Sequence, residues 1–220
     1  MKRVRQGTAN YKANLQRVGA AIPEAITLLT EYARRQDWQQ VREATLKENL
    51  LQKGSSHTVK GILTAIRQRF WNTDGQLPPA GVVSQAMITD IPPAAKSQIL
   101  YLYVCATDSL VRQTVLHLVK PLMASSSNAS LAPDEVRDFL RREMTSHPEL
   151  QVWSDHLQTR WCRGFLALLR DFGLMEPAPS NRLLHPVVRV EAFAFFLLWL
   201  LQSGTGPLPA LEHPLSLIHI

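Results

Sequence analysis

Apolar residues return every three or four positions along most of this chain, the spacing that gives an α-helix one buried stripe. Pro23 and Glu24 open a helix to about Arg35, with Ile26, Leu29, Tyr32 and Ala33 on one face. Asp37 caps a second helix, from Trp38 to about Gln52, that turns Trp38, Val41, Leu46 and Leu50 inward and ends at Lys53-Gly54. Ser55 or Ser56 caps a third. In it Val59, Ile62, Leu63, Ile66 and Phe70 recur at i, i+3, i+4, i+7 and i+11, the most regular amphipathic signal in the sequence.

Residues 72–80 concentrate turn formers and read as a linker. A short helix near 81–90 precedes Pro92-Pro93 and the run Ile99–Ala106, which is too uniformly apolar to expose a full face and predicts a buried central helix. Asp108 caps a helix over about 109–118, residues 124–130 form a loop, and Pro133-Asp134-Glu135 restarts a helix. Ser154 caps a long helix to Phe172, closed by Gly173, and the Pro/Ser/Asn-rich stretch 174–186 predicts a small β-hairpin behind it, a winged-helix-like arrangement. A last helix, Glu191 to Gln202, is apolar at all ten positions from Ala192 to Leu201. A membrane span needs roughly 20 apolar residues, so this run predicts a core helix and no span. The expected fold is all-α in two helical lobes. Residues 1–75 form a basic lobe with a helix-turn-helix-like hairpin, 81–203 a second lobe with the winged-helix-like element near 154–188, and 204–220 a tail.

The 220 residues are 45% apolar and 19% charged, which excludes a disordered tail or linker. The net charge of +6 is unevenly placed: residues 1–75 hold 13 Lys+Arg against 6 Asp+Glu, 76–150 hold 6 against 7, and 151–220 hold 5 against 5. An N-terminal excess of this size points to an anionic partner, nucleic acid or a membrane surface. Cys105 and Cys162 lie in separate helical stretches, so neither a disulfide framework nor a metal knuckle is expected, and a reducing, cytoplasmic setting fits. No apolar segment follows the charged start Met1–Gly7, so no secretory signal or N-terminal anchor is expected.

Catalytic chemistry finds no centre. Phosphate-loop, dinucleotide, zincin and esterase motifs are missing, and Asp171-Phe172-Gly173 lacks the glycine-rich loop and H-R-D segment that a kinase needs. Pro133-Asp134 lacks the downstream acidic-x-Lys of a nuclease, since the last lysine is Lys120. His147, His156, His185 and His213 have neither i, i+4 pairing nor cysteine companions, so no metal, cofactor or small-molecule substrate is expected.

The third helix carries the better signal. Opposite its apolar face stand His57, Lys60, Thr64, Arg67, Gln68 and Trp71, which put cations and amide or hydroxyl groups on one stripe. Joined to the preceding helix by Lys53-Gly54-Ser55-Ser56, it is compatible with a helix that enters a DNA groove, and equally with a solvated helical hairpin. A weaker stripe, His156, Thr159, Arg160, Arg163 and Arg170, precedes the hairpin that carries Arg182.

Tyr11–Leu15, Glu48–Ser55 with Arg67–Phe70, Leu169–Leu174 and Glu191–Leu197 follow in an order and spacing that resemble the BrxA family of bacteriophage-exclusion (BREX) systems over residues 10–203. The resemblance implies an all-helical protein with a lobe similar to the antitermination factor NusB. It also implies double-stranded DNA binding and a non-enzymatic accessory role in phage defence beside other BREX proteins. Leu215–Ile220 resembles the translation of a transposon adapter used in sequencing libraries, so truncation after about Pro214 is expected. The DNA contacts expected on these grounds are Lys2, Arg3, Arg5, His57, Lys60, Thr64, Arg67, Gln68, Arg163 and Arg182. The alternative is a protein-protein interaction scaffold with incidental DNA affinity.

Overall fold

Local signals set most helix ends in the computed structural model, which describes residues 11, 15–71, 77–202 and 204. The helices are α1 (Leu15–Val18), α2 (Ile22–Arg35), α3 (Trp38–Glu48), α4 (Ser56–Trp71), α5 (Ala80–Ile88), α6 (Pro93–Thr107), α7 (Ser109–Thr114), α8 (Lys120–Ser125), α9 (Pro133–Ser146), α10 (Pro148–Gln151), α11 (Asp155–Asp171) and α12 (Val190–Gln202). Asp37 caps α3 by accepting from the amides of Gln39 and Gln40, Asp108 caps α7 through Val111 N, and Ser154 caps α11 through Leu157 N. Gly173, at φ +72°, ends α11 in the left-handed conformation that a glycine adopts without steric cost. A π-helical turn, Val115–Val119, joins α7 to α8 just before Pro121, which has no N–H to offer an α-helical ladder.

The hydrophobic core runs from Tyr11 to Phe196 around α6, which buries Ile99 through Cys105 without interruption, as the uniform run predicts. α2 packs along α5 and α6, α4 and α12 both pack on α6, and α9 packs on α11. Phe70 meets Tyr103 at 4.7 Å between ring centroids, and Tyr103 meets Phe196 at 6.4 Å, so α6 receives aromatic contacts from both α4 and α12. The start of the described chain is pinned at Tyr11. Its amide donates to Glu149, its hydroxyl donates to Glu143 at 3.1 Å, and its ring lies 4.2 Å from that of His147.

Three details differ from the sequence reading. α2 buries Ala25, Leu28 and Leu29, a stripe rotated from the expected one so that Ile26, Tyr32 and Ala33 are only half-buried. α3 ends at Glu48 instead of about Gln52, and the chain then turns through Asn49 and Gln52 at positive φ, which buries Leu51 in place of Leu50. The expected hairpin is not formed. Single antiparallel bridges, Met175 to Leu183 and Ser130 to Arg182, hold the 174–186 segment, and no strand exists among the described residues. Pro177, Pro179 and Pro186 remove the donors a ladder would need. α12 is a single 13-residue helix, and no helix among the described residues is long and apolar enough to cross a membrane.

Arg69 is the least expected core residue. The residue is 9% exposed, and its guanidinium donates to the carbonyls of Gly19 and Ala20 at 2.7–2.8 Å and so locks α4 to the turn before α2. Burial pulls its pKa down to about 10, while nearby Asp108 acts in the opposite direction. Burial also pushes the Asp108 carboxyl up to about 6, against the lowering effects of the Val111 amide and Arg69. A carboxyl whose pKa rises on folding favours the native state when protonated, so its contribution is present at low pH and is lost as pH climbs from about 4 to about 6. Asp108→Asn, which keeps the capping oxygen, should remove this dependence. The difference in unfolding free energy between variant and parent should move in favour of the variant by about 3 kcal/mol across that interval, read by urea denaturation at each pH.

Candidate nucleic-acid interface

The polar stripe of α4 exists because its opposite face has no alternative to burial. Val59, Ile62, Leu63, Ile66 and Phe70 are all buried, as the periodicity predicts, and this leaves His57, Lys60, Thr64, Arg67 and Gln68 exposed. α3 packs beside α4, and Lys53 Nζ reaches Glu24 Oε1 at 2.6 Å, which fastens the connection between them to the first turn of α2. An open groove of about 550 Å³ runs between the two helices. Lys60, Thr64, Arg67 and Gln68 form one wall over Leu63, and Trp38 and Arg42 form the other.

The lining is entirely free of carboxylates. Arg42, Lys60 and Arg67 form no ion pair among the described residues, whereas other cations of this part of the chain are engaged. Arg34 and Arg35 both pair with Glu31, Lys53 pairs with Glu24, and Arg69 is buried on carbonyls. The Thr64 hydroxyl donates to Lys60 O at 2.9 Å and retains acceptor capacity, and the Gln68 amide has no hydrogen-bond partner among the described residues. Trp38 is half-buried: its ring lies 4.6 Å from that of Trp71, which stands edge-on to Tyr32 at 4.8 Å.

The structure therefore brings Lys60, Thr64, Arg67 and Gln68 to one groove and places His57 on the first turn of the same helix, outside the lining. Arg163, exposed on α11, and Arg182, in the segment behind it, do not line this groove. Arg182 pairs with Glu176 at 3.2 Å, and Arg170 donates to Ser180 O and Asn181 Oδ1, so both hold the 174–186 segment together. Lys2, Arg3 and Arg5 lie outside the described residues. Arg42 and the open side of Trp38 are the lining residues that the sequence reading missed. Their i, i+4 spacing on α3 places them on one face, a signal masked by counting Trp38 as core.

A catalytic centre has no comparable support. Burial pushes the Cys105 thiol up to about 12 and raises that of Cys162 as well, which suppresses thiolate at either. No group of three or more His, Cys, Asp or Glu side chains among the described residues is arranged to hold a metal.

The exposed, unpaired state of the groove cations makes them dispensable for folding. Lys60→Glu and Arg67→Glu should each shift the unfolding free energy by less than about 0.5 kcal/mol, whereas Arg69→Ala, two positions from Arg67, should cost about 3 kcal/mol or more; urea denaturation of the three variants checks this.

The family model described as BrxA matches residues 9–197. Among curated proteins none matches significantly. Among solved structures, the crystal structure of an uncharacterized protein from Magnetospirillum magneticum superposes with a TM-score of 0.74 at 16% identity and covers 94% of this chain and 96% of that one. At that identity the likeness speaks for the fold.

Proposed function

This chain belongs to the BrxA family, which makes it a BREX-associated defence protein, and we propose that it serves there as a non-enzymatic accessory subunit that binds double-stranded DNA through the α3–α4 groove. The observation that carries the reading is the convergence of Arg42, Lys60 and Arg67 from two helices on one groove whose lining holds no carboxylate and pairs none of them. Free cations at such spacing neutralise phosphates and release their counterions, and this drives binding without sequence preference. Thr64 and Gln68, between the cations, carry groups able to reach base edges as α4 lies against the duplex, in the manner of the second helix of a helix-turn-helix. His57 at the entrance of α4 and Arg163 on α11 are secondary contacts in this reading, as are Lys2, Arg3 and Arg5 ahead of Tyr11. Arg182 contributes less, since Glu176 already holds it.

The three groove cations alone give a salt slope near −2.7, so affinity for a random-sequence duplex should fall at least about 40-fold between about 50 and 200 mM salt in fluorescence anisotropy. The double variant Lys60→Glu/Arg67→Glu should bind more weakly at low salt and show a slope shallower by about 2. Unchanged duplex binding by that variant would place the DNA contacts elsewhere.

A second reading, a scaffold for other BREX proteins, draws support from the apolar surface of the last helix and its approach. Val187, Val190 and Leu198 are 79%, 71% and 58% exposed, which leaves α12 buried mainly through Ala192, Phe196 and Leu200. Retention of a BREX partner that is insensitive to salt and lost on Leu198→Glu, in a protein that fails to bind DNA, would favour the scaffold.

A further inference from the structure

We propose that the α3–α4 groove takes an unpaired base of a single-stranded DNA segment, stacked on Trp38, with the flanking phosphates on Arg42, Lys60 and Arg67. The inference rests on the reading that this groove binds DNA, and it adds to the duplex a second form, an unpaired strand, that the same groove takes. Phosphate attraction alone accounts for the cations but gives no role to an indole set among them. Trp38 stands on the α3 wall, half-buried, with Arg42 one helical turn away on the same face and Lys60 and Arg67 on the wall opposite. Its inner side rests on Trp71 at 4.6 Å, and Trp71 is braced edge-on by Tyr32 at 4.8 Å, so the ring is held in place without being covered.

An indole presented in this way stacks on a base only where the face of that base is open. In a duplex both faces of each interior base are covered by its neighbours, whereas single strands offer theirs to aromatic platforms beside a cationic track. A second group stands within reach of a base stacked there. The Gln68 side-chain amide, across the groove from Trp38, is unpartnered among the described residues and presents both a donor and an acceptor, the complement of a base edge freed from its Watson–Crick partner. The groove volume of about 550 Å³ lies within the range of about 300–1,000 Å³ that admits a small planar ligand.

The test measures anisotropy of labelled oligothymidylate of about 12 nucleotides and of a random duplex of the same length against the full chain, its Trp38→Ala and Trp38→Phe variants, and Lys60→Glu/Arg67→Glu. Parent protein and Trp38→Phe should bind the single strand at least as tightly as the duplex. Trp38→Ala should weaken single-strand binding about 5- to 150-fold, the effect of removing one base–aromatic stack, and change duplex binding less than about twofold, while the charge variant weakens both. Circular dichroism verifies the fold of each variant. Photocrosslinking of the unmodified protein to an oligonucleotide with 5-iodouracil at one position removes the need for any variant, and the crosslink should map to the peptide that holds Trp38. Equal loss of both ligands in a folded Trp38→Ala protein, no loss of either, or crosslinks confined to other peptides would overturn the proposal. Parent protein that binds the duplex alone would overturn it and leave the duplex reading intact. Failure to bind either ligand would remove both.

Discussion

The burial of one face of α4 is the constraint on which the rest of the candidate site depends. Val59, Ile62, Leu63, Ile66 and Phe70 leave water together, and Phe70 seats its ring on Tyr103 of the central helix. Five such side chains contribute on the order of 10 kcal/mol of transfer free energy as an upper estimate, which leaves α4 no freedom to rotate about its axis. Rotation by one residue would bury Lys60 and Arg67 in place of apolar side chains, at the cost of desolvating both charges. Arg69 adds a directional lock, because its two hydrogen bonds to Gly19 and Ala20 carbonyls fix the helix along its length as well as around it. The exposed stripe is thus a consequence of the buried one, and its cations are displayed on a rigid element.

The basic character of the first third of the chain is narrower than its charge count implies. Glu31 holds two arginines, Glu24 holds Lys53, and Arg69 serves the core. Among the described residues of this section, Arg42, Lys47, Lys60 and Arg67 are left without an ion-pair partner, and all of these except Lys47 line the groove. Solvated, unpaired cations are free to displace the counterions condensed on phosphates, whereas those held in local pairs have already been neutralised. A local net charge counts both kinds alike, so it located the basic section without identifying the surface.

The legible parts of the sequence were those governed by local rules. The period of α4, the caps at Asp37, Asp108 and Ser154, the termination at Gly173 and the apolar run of α6 all depend on residues within a few positions of one another, and all stand in the structure. The misread parts depend on distant partners. Arg69 is an arginine at a core position whose acceptors lie fifty residues upstream, and nothing local distinguishes it from the exposed Arg67. The groove itself is made by two helices, so Arg42 could be assigned to it only once α3 was set beside α4. Arg182 looked like a free cation on a wing. The proline-rich segment folded back on itself instead, and Glu176 took that charge.

Covalent labelling of lysines in the presence and absence of a DNA duplex tests the central claim most directly, because it reports which lysines the ligand covers without the need for any substitution. With acetylation read by mass spectrometry, saturating duplex should protect Lys60 several-fold while Lys120, between the π-helical turn and Pro121, reacts as before. Full reactivity of Lys60 in protein shown to be DNA-bound, with protection confined to lysines away from α4, would contradict the account.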